Sequence, residues 1–334
     1  MPASLKRVLY AVFLVATVAL VGFRDSSMGF DTITYEKSFG ELLENKPLSD
    51  NFEIGYLVLV EFFQLFSSNF NLFLFLVAAA SVGIKFYAVP RYSPLIFIPL
   101  AYYMAYYLTE YEMSAIRQSL AIAFGFLAIY YAKTRKLPVF IAVILIGSMF
   151  HVSLLFFFPF YFLNRVRINI THFAILIASS AVLFVVDLSS IIWKVIGFIP
   201  AGSIVAVKVT AYLEGNTQTG LTLGHLPYLL FASFFFYYGR VVKDEFFQHL
   251  LAAFIIGLFF SFFFSSTLGV LNRLTYYYLM TGGFLFAYII HYSRHNINKI
   301  AYLLMLSAFM ILKIMESILA GEARPHYIPY QTFF

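Results

Sequence analysis

Residues Tyr106–Ser153 read YYLTEYEMSAIRQSLAIAFGFLAIYYAKTRKLPVFIAVILIGSMFHVS. Two apolar runs meet at the short basic turn Lys133-Thr134-Arg135-Lys136. A run of roughly 20 apolar residues is long enough to cross a bilayer. A Lys/Arg-rich short loop between two such runs belongs on the cytoplasmic side. Arg117 lies near the start of the first run and His151 at the end of the second, each about a membrane thickness from the basic turn. Both are predicted near the outer face.

The same alternation of apolar run and short polar loop recurs along the chain. Of 334 residues, 62% are hydrophobic and only 11% charged, where a soluble domain is about a quarter charged. Mean hydropathy is +0.85. The apolar runs are continuous and do not alternate residue by residue, so helical spans are predicted rather than a barrel. The expected fold is all-α: a polytopic integral membrane helical bundle forming a single transmembrane domain over residues 1–334, with no soluble domain. The net charge of +6 is distributed over short loops, where topology accounts for it; no nucleic-acid partner is implied. The absence of cysteine excludes disulfides and thiolate metal sites.

Taken in order, Lys6-Arg7 precede the apolar run Val8–Phe23, which reads as a retained signal anchor with the N-terminus inside. The segment 24–53 is acidic and is predicted as an extracytoplasmic loop carrying a short amphipathic helix around Tyr35–Glu44. Ile54–Phe66 is too short for a span. If it crossed, Arg91 and the Lys133–Lys136 turn would both lie outside, against the positive-inside rule; it is therefore expected to dip into or lie on the membrane. Phe70–Val89 runs inward to Lys85 and Arg91, Leu95–Leu108 returns, and Met113–Ala132 runs inward again. Leu137–Leu163 must break near His151 to keep Arg165 and Arg167 inside. Segment 188–224 reads as an outer interfacial helix and loop, and 321–334 as an outer tail. The arithmetic gives about eleven crossings plus re-entrant or interfacial helices, with the C-terminus outside.

On this topology the unusual polar residues gather on the outer face: Asp31, Tyr35, Glu53, Tyr56, Glu112, Arg117, Gln118, His151, Lys208, Tyr212, Arg273, Tyr276 and Arg324 among them. The cytoplasmic loops carry no comparable set. Arg117 has two readings, an ion pair with Glu110 or Glu112, or a bidentate clamp on a phosphate. The stripe Ser114, Gln118, Ala121 and Gly125 favours close helix packing and an inward-facing Arg117. His151 is either a hydrogen-bonded packing residue or a proton-transfer group suited to neutral pH. Arg273 is either an interfacial anchor or a second phosphate ligand. No metal-ligand spacing, P-loop, dinucleotide fingerprint or serine-triad motif is present; neither a metal nor a cofactor is expected.

Several segments together resemble the EpsG family, the Wzy-like polymerases of bacterial exopolysaccharide and O-antigen. They are GFDTITYEKSF with Asp31 and Tyr35, EIGYLVL with Glu53 and Tyr56, SAIRQSLA with Arg117 and Gln118, FHVSLLFFFP with His151, KVTAYLE with Lys208 and Tyr212, NRLTYYY with Arg273 and Tyr276, and IPYQTFF. The resemblance implies an architecture similar to the C-class glycosyltransferases. It implies a glycosyltransferase that takes its donor from an undecaprenyl-diphosphate-linked oligosaccharide at the outer side of the bacterial cytoplasmic membrane, surrounded by membrane lipids. A chain-length regulator protein is a further expected partner. On that basis Arg117 and Arg273 are assigned to the diphosphate, with Lys208 and Arg324 as further candidates. His151 is the candidate base, with Asp31, Glu53 or Glu112 as replacements, and Tyr35, Tyr56, Tyr212, Tyr276 and Gln118 line the substrate site. A lipid-linked oligosaccharide flippase and an O-antigen ligase are the alternatives; a flippase would need polar residues on both faces.

Overall fold

The computed structural model describes residues 2–48, 52–185, 194, 226–265, 269–319 and 324–334. Most of the expected interfacial segment 188–224, with Lys208 and Tyr212, lies outside the described residues. Within them the regular structure is helical, apart from one isolated antiparallel bridge between Arg24 and Thr332. In chain order the α-helices are α1 Ala3–Gly22, α2 Thr32–Leu43, α3 Ile54–Gln64, α4 Phe70–Ala88, α5 Phe97–Tyr107, α6 Ile116–Lys133, α7 Leu137–Ser148, α8 Ile170–Val185, α9 Leu226–Tyr238, α10 Glu245–Ser265, α11 Tyr276–Leu279, α12 Thr281–Tyr292, α13 Asn296–Leu319 and α14 Arg324–Tyr327. A π-helical turn, Leu108–Glu112, separates α5 from α6. A 3-10 segment, Val152–Arg165, follows α7.

The chain divides into two compact units, Met1–Tyr161 with Ser293–Phe334, and Phe162–Tyr292. In the first, α1 packs on α4, α4 on α6, α6 on α7, and α13 on α5. The buried face of α6 is rich in small residues, Ser119, Ala121, Ala123, Gly125, Ala128 and Ala132, which lets neighbouring backbones come close. In the second unit α10 is the hub, packed by α8, α9, α11 and α12.

Among the described residues four helices are long and apolar enough to cross a membrane: Ala3–Gly22, Phe70–Arg91, Glu245–Ser265 and Asn296–Leu319. The other expected crossings fall on shorter or interrupted helices. Leu95–Leu108 is an 11-residue α5 running into the π turn. The stretch after Arg273 is broken at Thr275 and Met280, where Thr275 Oγ1 donates to the Asn272 carbonyl at 2.8 Å and Thr281 Oγ1 to that of Tyr278 at 2.6 Å. Side-chain hydroxyls that satisfy backbone carbonyls in this way compete with a continuous helix. The break near His151 is present. Pro159 cannot donate into an α-helical ladder, and the returning segment sets Phe158 and Tyr161 against Phe140, with Arg135 Nη1 donating to the Tyr161 carbonyl at 3.2 Å. The short amphipathic helix is α2, whose Thr32, Tyr35, Ser38 and Phe39 share a buried face.

Lys85 corrects the reading of α4. It was counted with Arg91 as a cytoplasmic end marker. Instead Nζ lies 2.6 Å from Glu112 Oε1, with side-chain exposures of 0% and 1%. Nζ also donates to Ser81 Oγ at 2.6 Å and to the Ser119 carbonyl at 3.0 Å, while Tyr103 OH donates to the same carboxylate oxygen at 2.8 Å. An ammonium on a mostly apolar helix is held inside the bundle because a carboxylate on the π turn meets it. Removing one partner strands the other charge. Lys85→Ala is expected to lower the stability of detergent-solubilised protein by about 3–5 kcal/mol, and Lys85→Met with Glu112→Leu to recover most of it, measured by chemical denaturation of the three proteins side by side.

Candidate active site

Arg117 projects from the first turn of α6. Nη1 forms an ion pair with Glu53 Oε2, and Nε donates to Tyr35 OH at 3.3 Å. The guanidinium lies over three rings, 4.7 Å from the centroid of Phe52, 5.5 Å from Tyr35 and 6.0 Å from Tyr56. The pair is partly open, with side-chain exposures of 19% and 22%. Both polar partners come from elsewhere in sequence: Tyr35 from the buried face of α2, and Glu53 from the residue that caps α3 in an extended conformation. Burial, opposed by Arg117, pushes the Tyr35 phenol above its ordinary range, so it stays protonated at physiological pH.

The His151 hairpin closes this site on a second side. The backbone N–H of Val152 donates to Glu53 Oε1 at 3.4 Å, and that of Gly55 to the Met149 carbonyl at 2.8 Å. A Cβ on Gly55 would sit 2.7 Å from the Met149 oxygen, so only glycine lets α3 start this close to the hairpin. His151 Nδ1 lies 2.5 Å from Ser153 Oγ, and the Ser153 N–H points at the same nitrogen at 3.3 Å. A backbone donor fixes Nδ1 as an acceptor, which places the proton of the neutral ring on Nε2.

Of the residues expected to form a site, Arg117, Glu53, Tyr35 and Tyr56 meet directly, and the His151 turn joins them through Glu53. Glu112 does not; it belongs to the Lys85 pair, and Arg117 finds its carboxylate on Glu53 rather than on Glu110 or Glu112. Asp31 precedes α2, half-buried, with its backbone N–H donating to Ser114 Oγ at 3.1 Å. Gln118 is buried on α6. Arg324 opens the one-turn α14. Arg273, exposed, and Tyr276, half-buried, belong to the second unit. Lys208 and Tyr212 are outside the described residues. Phe52, which stacks under the guanidinium, was not singled out from sequence; an aromatic adjoining Glu53 was the available signal. Among the described residues, no three His, Asp or Glu side chains converge as a metal ion would need.

The tail 324–334 folds back on the loop that leaves α1. The Asp25 N–H donates to the Gln331 carbonyl at 3.0 Å, Tyr330 OH to that of Leu20 at 2.7 Å, and Tyr327 OH to that of Thr109 at 2.9 Å. Gly29, at φ +95°, sits so close to the Met113 carbonyl that a Cβ would overlap it. These contacts clamp the 24–31 loop over the entry to α6.

A chain whose described residues form helices, several of them long and apolar, is a membrane protein, and here it collects a cation, a carboxylate and several aromatic rings around one helix start. The sequence profile of the EpsG family matches residues 7–332, and the chain belongs to that family. It is also similar to the amylovoran biosynthesis protein AmsC of Erwinia amylovora, 23% identical over 95% of this chain and 87% of that protein. No solved structure matches. Because Gly55 sets the approach of Glu53 to the hairpin, Gly55→Ala is expected to cost about 1–3 kcal/mol of stability through overpacking. It should also weaken activity more than an alanine at half-buried Gly40, where an added Cβ meets none of the described residues. Thermal melts and activity of the two variants check this.

Proposed function

We propose that this chain is a polysaccharide polymerase. It transfers a growing glycan from undecaprenyl diphosphate to a sugar hydroxyl of the next lipid-linked repeat unit, on the outer side of the bacterial cytoplasmic membrane. Membership of the EpsG family and the similarity to an amylovoran biosynthesis protein support the reaction class. The observation that carries the mechanism is the Arg117–Glu53 pair, partly open and walled by Tyr35, Phe52 and Tyr56.

A diphosphate carries more negative charge than one carboxylate and offers the guanidinium paired oxygens at the right spacing. On binding, it takes Arg117 from Glu53. That exchange leaves a carboxylate without its counter-ion beside the site, where it accepts the proton of the incoming sugar hydroxyl. The hydroxyl oxygen bonds to the anomeric carbon as the bond from that carbon to the diphosphate oxygen breaks. The lipid diphosphate departs with its charge held by Arg117. His151, protonated at Nε2, serves as a hydrogen-bond donor to the diphosphate, a role that its Nδ1 contacts favour over that of base. The aromatic walls suit the apolar faces of sugar rings. Arg273, Lys208 and Arg324 remain further cations for the diphosphate, and a chain-length regulator a further partner.

Protein in nanodiscs, given a lipid-diphosphate-linked repeat unit and no other energy source, is expected to make a ladder of products with release of lipid diphosphate. Transfer of a single unit to a different acceptor, or translocation without new bonds, would replace this reading by a ligase or a flippase. Glu53→Gln should lower kcat by about 10²–10⁴-fold, the range for losing a general base, without raising the KM for donor, since it frees Arg117. Arg117→Ala should raise that KM, and Arg117→Lys should not restore it, because a lysine cannot bind in a fork.

A further inference from the structure

Arg24, just beyond α1, is the arginine that is fully buried among the described residues and that the mechanism above leaves unused. It is fully buried, and Nη1 donates to the Val21 carbonyl. Among the described residues, Nε and Nη2 have no hydrogen-bond partner. Burial, partly offset by Glu112, lowers the guanidinium to about 10, so it keeps its charge at neutral pH. It lines a narrow crevice whose other walls are apolar at Leu74, Val77, Ala78 and Ile116 and polar at Ser81, Glu112 and Ser119.

Charge counting sharpens the anomaly. Arg24 and Lys85 place two positive charges beside the single carboxylate of Glu112, and that carboxylate is already bonded by Lys85 and Tyr103. A buried charge with unmet donors is costly, and among the described residues Glu112 and the Val21 carbonyl offset it only in part. An acceptor-rich anion would. The position is suited to one. Ile116, the first residue of α6, lines the crevice; its amide donates to the Ser114 carbonyl at 2.9 Å, so what the helix start contributes there is its dipole, which favours negative charge. Arg24 approaches that first turn from the side of α1 and α4, whereas Arg117, one residue after Ile116, faces α2 and α3.

We propose that Arg24 is a second oxyanion ligand, which grips a phosphate group at the start of α6 while Arg117 holds the other side. The chemical class is a diphosphate, lipid-linked or free. Its identification as the donor's diphosphate rests on the polymerase reading, whereas the anion site itself does not. The crevice is closed as it stands. The C-terminal tail pairs with the chain at this point, Thr332 being bridged to Arg24 itself, so entry requires the tail to lift or the guanidinium to swing towards Arg117.

The test uses the full chain in nanodiscs, with inorganic diphosphate, farnesyl diphosphate and farnesol as probes, and thermal stabilisation as the readout. Wild-type protein is expected to be stabilised by both diphosphates and not by farnesol. Equal affinity for the two would show that Arg24 reads the anion; tighter binding of the farnesyl compound would show that the lipid-linked form is the better ligand. Arg24→Met should bind at least about tenfold more weakly, as the loss of charge-assisted hydrogen bonds implies, and should melt higher than wild type without ligand, because the stranded charge is gone. Arg24→Lys should bind with intermediate affinity. Unchanged affinity in Arg24→Met, no binding by wild type, or failure of both variants to fold would each overturn the proposal, the last by making Arg24 a structural residue. The two readings fail separately: diphosphate binding through Arg24 without a product ladder leaves the anion site and removes the polymerase. A full ladder and full affinity in Arg24→Met do the reverse.

Discussion

The Lys85–Glu112 pair ties the middle of the first unit together. It joins α4 to the π turn ahead of α6, and through Ser81 and Ser119 it brings α4 and α6 side by side. In a chain with so few charges, two of them placed out of reach of water must be held by each other and by hydroxyls. The same pair explains the turn itself. A π turn inserts an extra residue relative to an α-helix, which aims Glu112 at Lys85 and lets α6 restart at Ile116 with Arg117 on the side of α2 and α3.

From that placement the site follows in layers. The small-residue face of α6 allows close packing, so Arg117 cannot turn to the lipid. The α2 helix supplies Tyr35, the cap of α3 supplies Glu53, and the Gly55–Met149 contact brings in the His151 hairpin. The tail then clamps the loop between α1 and α2. Two of these joints are backbone contacts where a side chain would not fit, Gly55 against Met149 and Gly29 against Met113. The arrangement holds one cation against one carboxylate in a partly open, aromatic-walled recess. Such a pair is readily exchanged for a better anion, because opening it does not strand a charge in a dry interior.

Much of this was legible in the sequence. Continuous apolar runs give helices in lipid, and the charge balance around Arg165 and Arg167 demanded the break at His151. The short amphipathic helix expected around Tyr35–Glu44 is α2, which buries Thr32, Tyr35, Ser38 and Phe39 at i, i+3, i+6 and i+7, and the small stripe on α6 turned Arg117 inward. Its partner was not legible, because Glu53 lies 64 residues away and Glu110 and Glu112 were nearer in sequence. Lys85 was misread for a related reason: near the end of an apolar run a lysine looks like an interfacial anchor, and only its burial shows otherwise. Arg24 looked like the first residue of a loop. Hydropathy does not register the hydroxyl and π-turn interruptions that split some of the expected crossings into shorter helices, so the sequence marked apolar runs but not where they break.

The central claim is that a lipid diphosphate takes Arg117 from Glu53 and thereby frees the base. Its most direct test is an experimental structure of the protein in nanodiscs with a non-hydrolysable lipid-diphosphate-linked donor. The account predicts phosphate oxygens against the Arg117 guanidinium and the Glu53 carboxylate turned towards the acceptor side. A donor bound with the Arg117–Glu53 pair intact and its phosphates elsewhere would contradict it.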